Sequence, residues 1–347
     1  MTGWPERRFL DLTGAEVPIV QAPMAGASGV ALAVAAINGG AVGSLPCAML
    51  TPIQVIVQAA EVRAEADGPL NINFFCRRLD RAPDDSEWRA LLQPFYEAEG
   101  VSTAPPPPLR RPFDAAMAEA VEAVRPEIVS FHFGLPDSDL LARVRAAGAL
   151  VFGNATTPEE MCWLADAGVD AIVLQGAEAG GHAGWFLDRH RSTPLAELLR
   201  VDVPVPKIAA GGIVDAADIV AAFSAGASAA QIGTAYLASP ESQASAPHRA
   251  LIGTATGTVF TNLFSGGVAR GFRNRLIDAI GPINPLAPPF PHATAALAPL
   301  RAHAEAEGRG DYSPLWAGTG ASRVRPEPAE ALTRRLAAET LALLETA

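Results

Sequence analysis

Short apolar runs recur along this chain, each closed by a glycine or a polar residue and followed by an alanine-rich stretch. Runs of four or five apolar residues between turn residues predict buried strands. They fall at 17–21, 41–44, 70–74, 128–131, 149–152, 171–174, 205–209 and 229–232. Helical patterns lie between most of them, at 29–38, 52–66, 113–124, 138–147, 158–167 and 216–225. Thr157-Pro158-Glu-Glu supplies a cap residue, a proline at the first helical position and two acids at the positive end of the helix dipole. Asp215-Ala-Ala-Asp218 has a similar start signal. Eight strand–helix alternations predict an α/β protein built as a closed parallel (β/α)8 TIM barrel, with a doubly wound open sheet as the alternative.

Two stretches break the alternation. Residues 75–112 carry Trp88-Arg-Ala-Leu-Leu and a stiff proline run at 105–108, and residues 240–310 carry helix-like pieces between proline-rich turns. The expected organisation is a barrel over 1–239 with an insertion at about 75–112, a lid or substrate subdomain over 240–310, and a C-terminal segment, 311–347. The apolar periodicity of 327–346 predicts a terminal helix packed on the outside of the barrel.

Composition narrows the function. The chain has 347 residues, and a barrel of this type takes about 250, which leaves length for both insertions. Its net charge of −11 gives no electrostatic footprint for nucleic acid and directs attention to small molecules. No stretch approaches ~20 unbroken apolar residues, so no membrane span is expected. Cys47, Cys76 and Cys162 match neither a disulfide framework nor a zinc set, and no secretory leader is apparent. A reducing cytoplasm is the expected setting. The six histidines show no metal-ligand spacing.

The candidate chemistry lies where strands end. The run 171–174 leads into Gln175-Gly-Ala-Glu-Ala-Gly-Gly-His182-Ala-Gly184. Such a loop lets backbone approach a flat or charged ligand while presenting one imidazole, the side chain that titrates nearest neutrality. The next two strands end in Ala209-Ala-Gly-Gly-Ile213 and Gln231-Ile-Gly-Thr234. Backbone N–H groups at Gly212, Gly233 and Thr234 suit an anion without any lysine. Met24, in Gln21-Ala-Pro-Met24-Ala-Gly26, and Asn73, in Asn71-Ile-Asn73, offer a thioether and an amide to one flat ring. His132 lies in Ser130-Phe-His132-Phe-Gly134.

Together these segments resemble those of the nitronate monooxygenases, formerly called 2-nitropropane dioxygenases. The likeness continues through Phe264-Ser-Gly-Gly-Val-Ala-Arg-Gly-Phe-Arg-Asn-Arg275 and Pro314-Leu-Trp-Ala-Gly318, and so covers nearly the whole chain. The resemblance implies an FMN-containing barrel that oxidises nitronates or nitroalkanes with O2 to a carbonyl compound and nitrite. It matches Met24, Asn73, Gln175, Gly180, Gly181, Gly212, Gln231, Ile232, Gly233 and Thr234 to flavin-contacting positions, and His182 to the catalytic histidine. His132 is expected to support it by hydrogen bonding to the flavin or the nitro group. The chain departs from the family pattern at Thr319, Arg77 and Arg78. Arg270, Arg273 and Arg275 are expected first as a solvated basic surface, with one of them facing the site to attract an anionic substrate as the alternative.

Other readings remain open on the residues alone. An FMN-dependent NAD(P)H reductase, of the enoyl-acyl-carrier-protein or quinone type, would use a similar Gly-Gly-His loop on the same barrel. A flavin-binding protein without turnover is a second possibility. Lys207, the only lysine, lies too early in its strand for a Schiff-base aldolase.

Overall fold

The computed structural model describes residues 3–77, 81–103, 112–255 and 257–346. Arg78 and the proline run at 105–108 lie outside the described residues. The barrel strands are β1 (Ile19–Gln21), β2 (Gly43–Pro46), β3 (Leu70–Phe75), β4 (Ile128–His132), β5 (Leu150–Ala155), β6 (Ala171–Gln175), β8 (Lys207–Ala210) and β9 (Ala229–Ile232). Between β6 and β8 lies a two-residue strand, β7 (Gly181–His182), which belongs to another sheet.

All eight barrel strands run parallel in the order β1-β9-β8-β6-β5-β4-β3-β2. A parallel bridge between Val20 and Val42 closes the ring, with Val42 N–H donating to Ile19 at 3.0 Å and Gln21 N–H to Val42 at 2.9 Å. The fold is the expected (β/α)8 TIM barrel. Its helices begin where the cap signals stand. Thr157 accepts from the Glu160 amide with Pro158 in the first turn, and Asp215 and Asp218 form a reciprocal capping box.

Side-chain alternation along the strands separates two cores. Val20, Val42, Ile128, Phe152, Val173, Ile208 and Ala229 face inward and pack with Phe9 and Leu10 of the helix Arg8–Thr13. Ile19, Leu45, Ile72, Val129, Val151, Leu174, Ala230 and Ile232 face outward into the helix layer. On the outside, the helix Ala329–Thr346 buries Thr333 against Tyr236, whose hydroxyl meets Thr333 Oγ1 at 2.6 Å.

A second sheet has the order β10-β11-β7, with β10 (Thr258–Thr261) and β11 (Ala269–Phe272) antiparallel. Its edge is the histidine loop itself: His182 pairs with Ala269, and Gly181 with Arg270. The two insertions share one apolar cluster. Trp88, Leu92 and Tyr96 of the helix Ser86–Glu99 pack with Phe264, Leu276, Ile277, Leu297 and Leu300. Tyr96 donates to the Ala296 carbonyl, at the start of the helix Thr294–Ala306.

Candidate active site

A cavity of about 860 Å³ opens at the C-terminal ends of the barrel strands. That size suits a cofactor-scale ligand. Met24, Asn73, His132, Gln175, Gly180, Gly181, His182, Gly212, Gln231, Gly233 and Thr234 all line it. Ile232 does not: strand alternation turns its side chain outward, where it is 1 % exposed in the main core. Only its backbone lies near the mouth.

The histidine loop is held from several sides. Gln175 donates Nε2 to the His182 carbonyl at 2.8 Å, and its Oε1 accepts from Gly184 N–H at 2.9 Å and from Asn154 Nδ2 at 3.2 Å. His132 Nε2 meets the same carbonyl at 3.2 Å. Beyond the loop, Glu160 accepts from Phe186 N–H at 2.6 Å, while its other oxygen takes the amide and hydroxyl of Thr156. Glu160 was expected only as an acid near a helix dipole; here it is a buried tether for the chain leaving the loop.

The His182 side chain is buried. Its Nε2 lies 2.7 Å from Ser265 Oγ. Phe290, Trp316 and Phe133 meet the imidazole edge-on, with centroids 5.3, 5.4 and 6.4 Å away. Arg77 lies over Trp185 at 5.0 Å and over Phe133 and Phe290 at 5.8 and 5.9 Å. It therefore caps the outer side of the same aromatic wall. Ser265, Phe290 and Trp316 come from segments more than eighty residues beyond the loop, and no local pattern ties them to it. The sequence hints were the two motifs that contain Ser265 and Trp316; nothing marked Phe290.

The remaining residues form a slot and a cradle. Asn73 Nδ2 donates to Ser130 Oγ at 2.9 Å, which fixes the amide at the wall. The thioether of Met24 lies beside Gly233, since β1 and β9 are neighbours. After β8 the chain turns through Gly211 and Gly212 at φ +128° and +72°, a conformation that side chains rarely tolerate. Thr234 Oγ1 accepts from Gly318 N–H at 3.0 Å, so its own proton is left for an acceptor in the cavity. Amides along the wall, leading to backbone N–H groups and a hydroxyl, form a lining that fits a flavin. At Gly180 the close approach is to protein: a Cβ there would lie 2.6 Å from the backbone of Ala317 and Gly318.

The three arginines of the 264–275 segment are otherwise engaged. Arg270 donates to the Ala177 carbonyl at 2.7 Å and stacks on Phe260, Arg273 pairs with Asp278, and Arg275 pairs with Glu99. None of them lines the cavity; Arg301 does, beside His248 and Glu305. Burial pushes the His248 pKa down, and its Nε2 bonds the Trp316 carbonyl at 2.9 Å. Lys207 directs its amine at the carbonyls of Leu199 and Val201, away from the cavity. Thr319 lies against Gly212, its amide bonded to the Glu178 carbonyl at 2.9 Å. No described helix is long and apolar enough to cross a membrane.

The family model described as nitronate monooxygenase matches residues 6–339. A nitronate monooxygenase of Paraburkholderia phytofirmans is 41% identical over 96% of this chain and 95% of its own. The structure of a nitroalkane oxidase from Streptomyces ansochromogenes superposes with a TM-score of 0.89 at 34% identity, covering 98% of this chain and 99% of that one. FabK from Thermotoga maritima, with a TM-score of 0.74 at 23% identity over 98% of this chain and 97% of its own, shares the fold, which is all that such a likeness shows. The chain therefore belongs to the nitronate monooxygenase family, flavin-dependent oxidoreductases that act on nitronates and nitroalkanes.

Proposed function

We propose that the cavity holds FMN and that the protein uses O2 to oxidise small nitronates, and the nitroalkanes from which they form, to a carbonyl compound and nitrite. The observation that carries this reading is His182, a single imidazole walled by Phe133, Phe290 and Trp316 at the mouth of a flavin-sized cavity. The bound flavin supplies the redox chemistry. Met24, Asn73, Gln175, Gln231 and the glycines of the histidine loop hold its ring. Gly212, Gly233 and Thr234 take its phosphate.

His182 removes the acidic α-proton of a neutral nitroalkane, and the rings around it exclude water from the resulting anion. His132 supports the site by fixing the backbone that carries His182. The segment 240–310 acts as the lid, because it supplies Ser265 and Phe290 to the His182 ring. The reductase reading is left with a likeness of fold alone.

The test is anaerobic absorbance of the purified yellow protein. Bleaching on addition of ethyl nitronate, with FMN recovered after denaturation, is the expected result. Rapid bleaching by NADH without response to nitronate, or recovery of FAD, would overturn the reading.

A further inference from the structure

The proposed phosphate cradle is built from separate loops, and the stretch 318–323 touches each of them. Gly318 N–H donates to Thr234 Oγ1 at 3.0 Å, and Thr319 N–H donates to the Glu178 carbonyl in the histidine loop at 2.9 Å. Gly320 lies so close to the loop after β8 that a Cβ there would meet the Gly212 carbonyl oxygen at 2.6 Å. Arg323 ends the stretch and reaches back to that same oxygen, donating from Nη2 at 3.2 Å. Its guanidinium also pairs with Asp215, and with Asp218 at 2.8 Å.

These contacts bear on where the next amide points. A trans peptide directs its C=O and its N–H in opposite directions. With the Gly212 carbonyl turned toward Arg323, the Ile213 N–H of the same peptide is turned the other way. Ile213 lines the cavity although its side chain is buried in the helix layer, so its backbone faces in. Among the described residues this N–H has no acceptor. Charge matters here as well. Asp218 takes the Val214 and Asp215 N–H groups at 2.9 and 3.3 Å, directly after the cradle. Without Arg323 the two carboxylates would stand unneutralised there and repel an anion.

We propose that Arg323 is a positioning residue for the flavin phosphate. It holds the Gly212 carbonyl outward, so that Ile213 N–H joins the donors of the cradle, and it neutralises Asp215 and Asp218 beside them. The proposal rests on the reading that Gly212, Gly233 and Thr234 take the phosphate. It explains how a cradle without a lysine retains an anion: the guanidinium stands behind the loop, outside the cavity lining, and acts through the peptide in front of it.

Binding of FMN and of riboflavin, which has the same ring and side chain without the phosphate, tests the proposal. The full-length apoprotein is titrated with each flavin and the quenching of flavin fluorescence is followed. The parent should hold FMN far more tightly than riboflavin. Arg323→Gln should lose about tenfold in FMN affinity, the scale of a hydrogen bond to a charged group, with riboflavin changed by less than about twofold. Arg323→Lys, which keeps the charge, should recover part of the loss. Both flavins are measured on the same folded protein, so a less stable variant still yields the ratio. Equal losses for the two flavins would make Arg323 a brace for the fold and overturn the proposal, as would an unchanged FMN affinity. A parent that holds both flavins equally overturns the phosphate site itself. Discrimination kept alike by the parent and by Arg323→Gln overturns the part given to Arg323 alone.

Discussion

Gln175 holds His182 by its backbone rather than by its ring: the Gln175 amide gives Nε2 to the His182 carbonyl at 2.8 Å and takes Gly184 N–H on Oε1 at 2.9 Å. One amide thus clamps the backbone on both sides of Ala183, directly after the residue that presents the imidazole. Replacing Gln175 with Ala frees the loop while leaving the ring chemistry in place. We expect kcat/KM on nitroalkane to fall by about 10- to 100-fold, the scale set by small misplacement of a reacting group. Steady-state kinetics with flavin occupancy held constant check this. Unchanged kinetics would show that β7 pairing alone holds the loop.

His182→Asn removes the proposed base and keeps a side chain of similar polarity. Turnover of neutral nitroalkane should fall by ~10² to 10⁴, the usual range for a general base. Preformed nitronate should be affected less, since it has already lost its proton. The ratio of the two losses is the measurement, and a ratio near one would assign His182 to binding instead.

The glycines of the site should not behave alike. A Cβ at Gly180 meets the Ala317 and Gly318 backbone at 2.6 Å, and that backbone cannot yield cheaply. At Gly212 the strain comes from φ +72°, with Thr319 Oγ1 at 3.2 Å. At Gly233, φ is −111° and the nearest atoms lie at an ordinary 3.5 Å. Alanine should therefore lower the Tm most at Gly180, next at Gly212 and least at Gly233. Gly212→Ala should also lose FMN. Thermal melts with and without added FMN resolve the order, and a Gly233→Ala protein as unstable as Gly180→Ala would contradict it.

Glu99 joins the two insertions. Its side chain is 7 % exposed, and it accepts from Arg309 at 2.6 Å, Tyr312 at 2.7 Å and Arg275 at 2.6 Å. The hydrogen bonds from Arg309 and Tyr312 push its pKa down to about 2 from an ordinary 4.5. A carboxylate with a depressed folded-state pKa gives stability that is complete above the unfolded value and is lost as pH falls through the folded one. Glu99→Gln should cost about 1–3 kcal/mol at pH 7, as for hydrogen bonds to a charged group. The gap to the parent should narrow between pH 4.5 and 2. Denaturant melts at several pH values test it, and a gap independent of pH would remove the charge from the argument.

The barrel was open to sequence reading because each strand is a local apolar run and each helix announces its start. Thr157-Pro158 and Asp215…Asp218 cap as their residue types require. The cavity was legible for a related reason, since glycines and amides at strand ends are also local. What escaped was pairing across distance. Gly181-His182 and Ala269-Arg270 have no strand pattern of their own, and only the presence of each makes a strand of the other. Ile232 was grouped with its motif although alternation turns it outward. The lid arginines looked free to attract substrate because nothing in a sequence shows that Ala177, Asp278 and Glu99 occupy them.

The two-residue strand β7 makes His182 a resident of two neighbourhoods. Its chain comes from the barrel, but its sheet partner Ala269 and its ring partner Ser265 both come from the stretch that follows β9. Opening that stretch away from the barrel breaks the backbone pairing and the imidazole contact together. A chimera that borrows residues 240–310 from a relative exchanges the Ser265, Ala269 and Phe290 side of this histidine's surroundings, even though the histidine itself has not been exchanged.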